Sequence, residues 1–369
     1  MVYAPSGRCI YVLAFLVYLH IVPALAAFKG FNCGAAFADG TTKTKEDYVI
    51  EFKKAKSIGD GSFTSTRLFT MLQGETGEAP IEAIEAAMET QTHLLLGLWA
   101  SSDNKEHLDD LISRQLNALS TSITKHGKKF TDLIAGISLG SEDVYRTTTL
   151  SEEAAGAGTS PEQLVEFIGQ LRERLKGTPV ETTPVGHVDT YNVWVGKTEP
   201  EIPGVDKLID AVDFIGVDAY PYYQNNTRPD NSIDVAGEMF WQDIDEVEAV
   251  SKGKPIWVTE TGWPHSESCH LPRMCSRGCD ELAIGPSDTS LLIKTEGPDY
   301  GEGKASKENA EMFWKEVGCA LWQKNIDTWY YILQDSIKFE NGTVKEPDIA
   351  FGIVGGSSGD LMLPSCEGV

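Results

Sequence analysis

A (β/α)8 barrel is the fold class this sequence predicts, and three observations predict it. Eight short apolar runs recur along the chain, and amphipathic helical patterns lie between most of them. Several runs are continuously apolar rather than alternating, as parallel strands covered on both faces are. The first run is followed by GAAFADGTT and not by a G-x-G-x-x-G phosphate turn, which disfavours an open doubly wound sheet. A chain of 369 residues with this rhythm suits one barrel domain.

The chain opens on a different kind of segment. Arg8 precedes the apolar stretch CIYVLAFLVYLHIVPALA, and Ala24-Leu25-Ala26 fits a small-x-small cleavage site. Residues 1–26 are expected to be a secretory leader and 27–369 the mature domain. A membrane anchor is the alternative. His20 and Pro23 interrupt the apolar run, however, and no charged stop-transfer cluster follows. The C-terminal SSGDLMLPSCEGV lacks the apolar tail of a lipid-anchor signal. A secreted protein, extracellular or in a cell wall, is therefore expected, with no membrane contact after leader removal.

The predicted strands cover 28–34, 64–71, 93–100, 133–140, 184–194, 213–223, 254–263 and 327–335. Helical patterns occupy 45–58, 80–91, 106–127 and 160–175. The third places Leu108, Leu111, Ile112, Leu116 and Leu119 on one stripe. The fourth opens with Ser160 as N-cap and Pro161 at the first helical position. VDKLIDAV and FWQDIDEVEAVSKG precede strands six and seven, and 306–324 precedes strand eight. Residues 265–305 read as a cysteine-bearing loop insertion after strand seven.

Composition narrows the partners. The formal net charge is −24, which gives no attraction to phosphate backbones and excludes nucleic acid as an expected partner. Past the leader, six cysteines remain: Cys33, Cys269, Cys275, Cys279, Cys319 and Cys366. An even count in an exported chain favours disulfides, whose pairing the sequence leaves open. Zinc is the alternative for Cys269, Cys275 and Cys279 beside His265 and His270, but no C-x-x-C pair supports it. No metal and no cofactor are expected, and a monomer is. Asn225 and Asn341 begin N-x-T sequons and are candidate glycan sites.

Barrel enzymes place their chemistry at the C-terminal strand ends. Strand four ends in GSEDVYR with Glu142, and strand seven in TETGWP with Glu260. Strand two carries Arg67. Strand five ends near Tyr191 and Trp194, and strand six near Tyr220, Tyr222 and Tyr223. Two carboxylates among aromatics are the minimal kit for cutting a glycosidic bond: one protonates the leaving oxygen and the other attacks or activates water. Aromatic faces stack on sugars. By pattern alone, Glu142 and Glu260 read equally well as helix caps or surface acids. Asp218 and Asp335 also stand near strand ends, as sugar contacts or supporting partners. His187 reads as a core histidine. No H-E-x-x-H helix is present.

VTETGWP (258–264) and GSEDVYR (140–146) resemble the two signature segments of glycoside hydrolase family 17, β-1,3-glucanases and related glucanosyltransferases. DFIGVDAYPYYQ (213–224) and FNCGAAF (31–37) are similar to that family's sixth- and first-strand segments. The Glu142 segment is closer to the fungal cell-wall branch. The resemblance implies a TIM barrel acting on β-glucan by retaining double displacement, with Glu142 as acid/base and Glu260 as nucleophile. It implies that Tyr220 bonds Glu260, that Arg67 is the family arginine of strand two, and that Trp263 is a sugar platform. Ser141 stands where many relatives have Asn, and strand eight matches only loosely. An endo-β-1,3-glucanase with a mildly acidic optimum is the leading expectation. A glucanosyltransferase using the same site and a non-catalytic glucan-binding wall protein are the alternatives.

Overall fold

Each of the eight apolar runs supplies one parallel strand of a closed barrel, as seen in a computed structural model of the chain. The structure describes residues 26–37, 40–102, 104–148, 157–226, 228–267, 301–335, 338–340, 343–345, 349–354 and 366. The leader up to residue 25, Thr227 of the first sequon, Cys269, His270, Cys275, Cys279 and Asn341 lie outside the described residues.

The barrel strands are β1 (Lys29–Cys33), β2 (Ser65–Leu68), β3 (His93–Leu98) and β4 (Ile134–Leu139). They continue with β5 (Val185–Thr190), β6 (Phe214–Asp218), β7 (Ile256–Glu260) and β8 (Thr328–Tyr330). β8 pairs with both β7 and β1, which closes the sheet and leaves it no edge. Strand five is shorter than the sequence predicts: Tyr191–Trp194 turns into one helical turn. Strand eight likewise stops at Tyr330.

Helices cover the outside. Pro161–Leu175 buries Leu164, Phe167, Ile168, Leu171 and Leu175, a stripe at helical spacing. Its Ser160 hydroxyl accepts from the Gln163 amide, as the capping pattern predicts. The helix before β7 starts at Ile233 and runs to Val250, seven residues earlier than its apolar pattern indicates. Before β8, Lys307–Phe313 continues through a wider turn at Trp314–Gly318 into Cys319–Gln323. No helix among the described residues is long and apolar enough to cross a membrane.

Two layers fill the barrel. Leu95, Ala135, Phe214, Trp257 and Trp329 form a buried cluster near the strand N-termini, and the Phe214 and Trp257 rings stack with centroids 3.7 Å apart. A Cβ at Gly186 would lie 2.4 Å from the Phe214 ring, so this plug requires glycine there. Above it the layer becomes polar: Asn32, Arg67 and Asp218 are all buried. Buried polar groups need partners, and their arrangement defines the site.

Cys319 and Cys366 form a disulfide across a separation of 47 residues. Cys33 departs from the even-count expectation: it is a free, buried thiol packed beside the Lys43–Glu51 ion pair. Burial and the Glu51 charge push that thiol well above its ordinary pKa, so it is held protonated.

Candidate active site

Adjacent strands converge on Glu260, the last residue of β7. Arg67 lies beside Asn32 in the β1–β2 register, and Asp218 lies beside Glu260 in the β6–β7 register. The Arg67 guanidinium is only 1% exposed and donates to Glu260 Oε1 at 2.5 Å, Asn32 Oδ1 at 2.9 Å and the Ser141 hydroxyl at 2.8 Å. The Asn32 amide donates in turn to the carbonyls of Thr259 and Trp329, both at 2.9 Å. The other Glu260 oxygen accepts from the Tyr220 hydroxyl at 2.8 Å. Both oxygens of this carboxylate are thus aimed by side chains, Arg67 on β2 and Tyr220 just past β6, the first through a charge-assisted bond.

Glu142 is presented differently. It sits just past β4 with φ of +55°, a left-handed conformation uncommon for a residue other than glycine. The surrounding loop is fixed from below. Asp143 Oδ2 accepts from the Ser141 amide at 2.6 Å, Asp189 accepts from the Val144 and Tyr145 amides, and the Glu142 amide donates to the Val188 carbonyl at 2.9 Å. The Arg146 guanidinium lies over the Trp99 ring, 3.8 Å from Glu142 Oε2, and donates to the Ser141 carbonyl. Burial pushes the Glu142 carboxyl up, the Glu260 charge adds to this and Arg146 opposes it, leaving the pKa at about 8.

The two carboxylates line one cavity of about 580 Å³. Its walls include Phe69 and Trp99 after β2 and β3, and Tyr223, Tyr331 and Phe351 from the β6–β8 arc. A cavity so lined can stack the apolar faces of a ligand on its rings and set two carboxyl groups against it. Asp218 also borders the cavity. Burial, then the charge of Glu260, holds its carboxyl well above the ordinary range, and Thr259 lies 2.6 Å from its Oδ1. Among the described residues no group of three or more His, Cys, Asp or Glu side chains is arranged to hold a metal ion.

The model of the BtgE/BtgC glycoside hydrolase domain matches residues 30–281. The chain belongs to that family. The matched span carries both carboxylates. A protein of Aspergillus oryzae named as a probable glucan endo-1,3-beta-glucosidase is 39% identical over 353 residues, 95% of this chain. A Schizosaccharomyces pombe glucan 1,3-beta-glucosidase is 26% identical over 82% of this chain and 75% of its own length. The chain spans 65% of the length of the Aspergillus relative. The crystal structure of a glycoside hydrolase family 17 beta-1,3-glucanosyltransferase from Rhizomucor miehei superposes with a TM-score of 0.61 at 22% identity, over 90% of this chain and 95% of that one. An endo-laminarinase from Formosa gives 0.62 at 15% identity, over 88% and 82%. At these identities the likeness is one of fold.

Within this BtgE/BtgC-type barrel, Ser141, Glu142, Tyr191, Tyr220 and Glu260 line the cavity, and Arg67 lies directly behind Glu260. The two tryptophans expected near the sugar do not reach it. Trp194 is buried, donates to the Gly216 carbonyl at 2.9 Å and meets His187 edge-on. Trp263 is 1% exposed, donates to the Lys304 carbonyl and packs on Tyr222 and Phe313. It is a packing residue of the barrel wall rather than a sugar platform. Asp335 accepts from the Phe351 and Gly352 amides and pairs with His265, so it pins the segment bearing Phe351. Asn225 is half-buried.

Sequence reasoning missed Asn32, Phe69, Trp99, Tyr331 and Phe351. For Asn32 a signal existed: one amide inside the apolar run FKGFNCG. Phe69 and Trp99 lie within the predicted strands, where alternation hides which way a ring turns.

Proposed function

We propose that this chain is an exported, retaining β-1,3-glucan hydrolase of the glycoside hydrolase family 17 type, acting within chains. One observation carries the reading: two carboxyl groups share one cavity in opposed environments. Glu260 is fixed by the Arg67 ion pair and the Tyr220 hydroxyl, as an attacking carboxylate must be. Glu142 is pushed to a raised pKa, as a proton donor must be. In the first step Glu142 protonates the glycosidic oxygen while Glu260 attacks the anomeric carbon, and the leaving chain departs. In the second step Glu142, now a carboxylate, takes a proton from water as its oxygen bonds to that carbon and releases Glu260. The names of the Aspergillus and Schizosaccharomyces relatives support β-1,3-glucan as the substrate. The leader pattern supports export, which N-terminal sequencing of the secreted protein tests, with Ala27 expected first.

A soluble linear β-1,3-glucan incubated with the protein should yield progressively shorter oligosaccharides, while β-1,4- and β-1,6-glucans remain intact. No release from β-1,3-glucan, or equal release from all three, overturns the assignment. The second reading is glucanosyl transfer. It is favoured by aromatic side chains on two opposite arcs of the cavity, Phe69 and Trp99 facing Tyr223 and Phe351, which offer seats to a donor chain and an acceptor chain. Products longer than the starting oligosaccharide decide for transfer. A purely glucan-binding role predicts no turnover and binding that survives both Glu142→Gln and Glu260→Gln.

A further inference from the structure

We infer that His187 is a positioning residue for Glu142: as a charged imidazolium it holds two buried carboxylates, Asp143 and Asp189, under the loop that presents the acid/base. The inference rests on the role proposed above for Glu142.

The hydrogen bonds assign the protons. The Leu139 carbonyl lies 2.7 Å from His187 Nδ1. A carbonyl only accepts, so Nδ1 carries a proton. Nε2 lies 3.1 Å from Asp189 Oδ2. That oxygen also accepts from the Val144 amide at 3.0 Å, and Oδ1 accepts from the amides of Thr190 at 2.9 Å and Tyr145 at 3.3 Å. A carboxyl group accepting from three amides is ionised, so Nε2 donates as well. Both ring nitrogens are protonated.

The second carboxylate, Asp143, comes from the loop and lies near the ring without bonding it. A Cβ at Gly140 would fall 2.0 Å from Asp143 Oδ2 and 3.1 Å from His187 Cε1, so these two atoms flank the same small space. Gly140 itself has φ of +84°. Asp143 Oδ2 accepts from the Ser141 amide, and Oδ1 accepts from the Ser101 hydroxyl. His187, Asp143 and Asp189 are all fully buried. Asp189 from its own strand and Asp143 from the loop face the imidazole. Arg146 and Glu142 stand beyond them on that loop, and the Trp194 ring covers one side. Burial pulls the imidazole pKa down, but the Asp189 bond and the charges of Asp189 and Asp143 outweigh it, so the net shift is upward.

These contacts give the histidine a task. The two carboxylates hold the amides of Ser141, Val144 and Tyr145, on either side of Glu142 in its left-handed conformation. Without a cation between them, two buried negative charges face each other, one must take a proton or turn away, and the loop loses its anchors.

The decisive experiment compares two substrates. His187→Gln is expected to lower kcat/KM on a β-1,3-linked hexaose at least about tenfold. On a 2,4-dinitrophenyl β-1,3-glucobioside, whose leaving group departs without a proton, the change should be under about threefold. Glu142→Gln should separate the two substrates in the same direction. Equal losses on both substrates in folded His187→Gln, or no loss on either, overturn the inference and leave Glu142 as the acid. A Glu142→Gln variant that loses both substrates alike overturns the acid/base assignment and the inference with it. The wild-type protein supplies a readout that needs no variant. Histidine-selective ¹⁵N NMR at pH 7.5 should show a histidine with both ring nitrogens protonated; if every histidine is neutral at that pH, the inference fails.

Discussion

Replacing Arg67 by Met keeps the apolar stem of the side chain and removes its charged head. In the native site the guanidinium serves three buried partners: Glu260, Asn32 and Ser141. A charge-assisted bond contributes about 1.5–3 kcal/mol, and each stranded buried partner costs about 1–3 kcal/mol. Removing one member of a buried ion pair costs about 3–5 kcal/mol in total, which bounds the sum. Ser141 and Glu260 border the cavity and can regain water, so the lower end applies. At about 1.4 kcal/mol per tenfold, 3 kcal/mol expressed in the transition state lowers kcat/KM about 100-fold. The assay is kcat/KM on a β-1,3-linked hexaose beside a thermal melt, with Arg67→Lys as companion. Lysine restores a charge but not the three-way fork, so it should recover stability more than activity. A folded Arg67→Met protein within about threefold of wild-type kcat/KM would refute the claim that Arg67 holds Glu260.

Four further outcomes are expected. Activity should fall on the alkaline side as pH passes about 8, where Glu142 loses its proton; Arg146→Gln should move that limb upward, because Arg146 favours the ionised form, and a limb that stays put or moves down contradicts the contact. A raised carboxyl pKa stabilises the fold below its unfolded value and loses that contribution as pH rises through the folded one; Glu142→Gln should therefore gain melting temperature relative to wild type between about pH 4 and 8, and a constant difference across that range would count against it. Tyr220→Phe removes one hydrogen bond to Glu260 and should lower kcat/KM about 10-fold or more, with an unchanged melt. Cys366→Ser opens a 47-residue loop and should cost about 2–4 kcal/mol in chemical denaturation with kcat/KM preserved; loss of activity in the folded variant would mean that the C-terminal segment shapes the site.

The barrel was legible because its strands are buried on both faces and its helices on one, two patterns that survive in a single sequence. Strand ends were legible too, since an acid closing an apolar run, as in IWVTE, marks the rim. The direction of a ring at that rim was not. Trp263 follows Gly262 and precedes Pro264, and the chain turns it back toward Phe313 rather than into the cavity. Trp194 fell on a helical turn because strand five stops at Thr190. Phe351 was hidden for another reason: it reaches the cavity from beyond the last strand, held by Asp335, in a segment with no periodicity. The even cysteine count also misled for Cys33, which satisfies a buried Lys43 contact instead of a partner thiol. His187 read as a core histidine, and it is buried; only its two acceptors, Leu139 and Asp189, give it a charge.

In the proposed reaction Glu260 attacks the sugar while Glu142 gives one proton to the leaving oxygen and then takes another from water. Proton NMR of the first product released from a soluble β-1,3-glucan tests it most directly. Double displacement predicts that the new reducing end appears first as the β-anomer and then mutarotates. An α-anomer appearing first would mean a single displacement by water and would contradict the assignment of Glu260 as nucleophile.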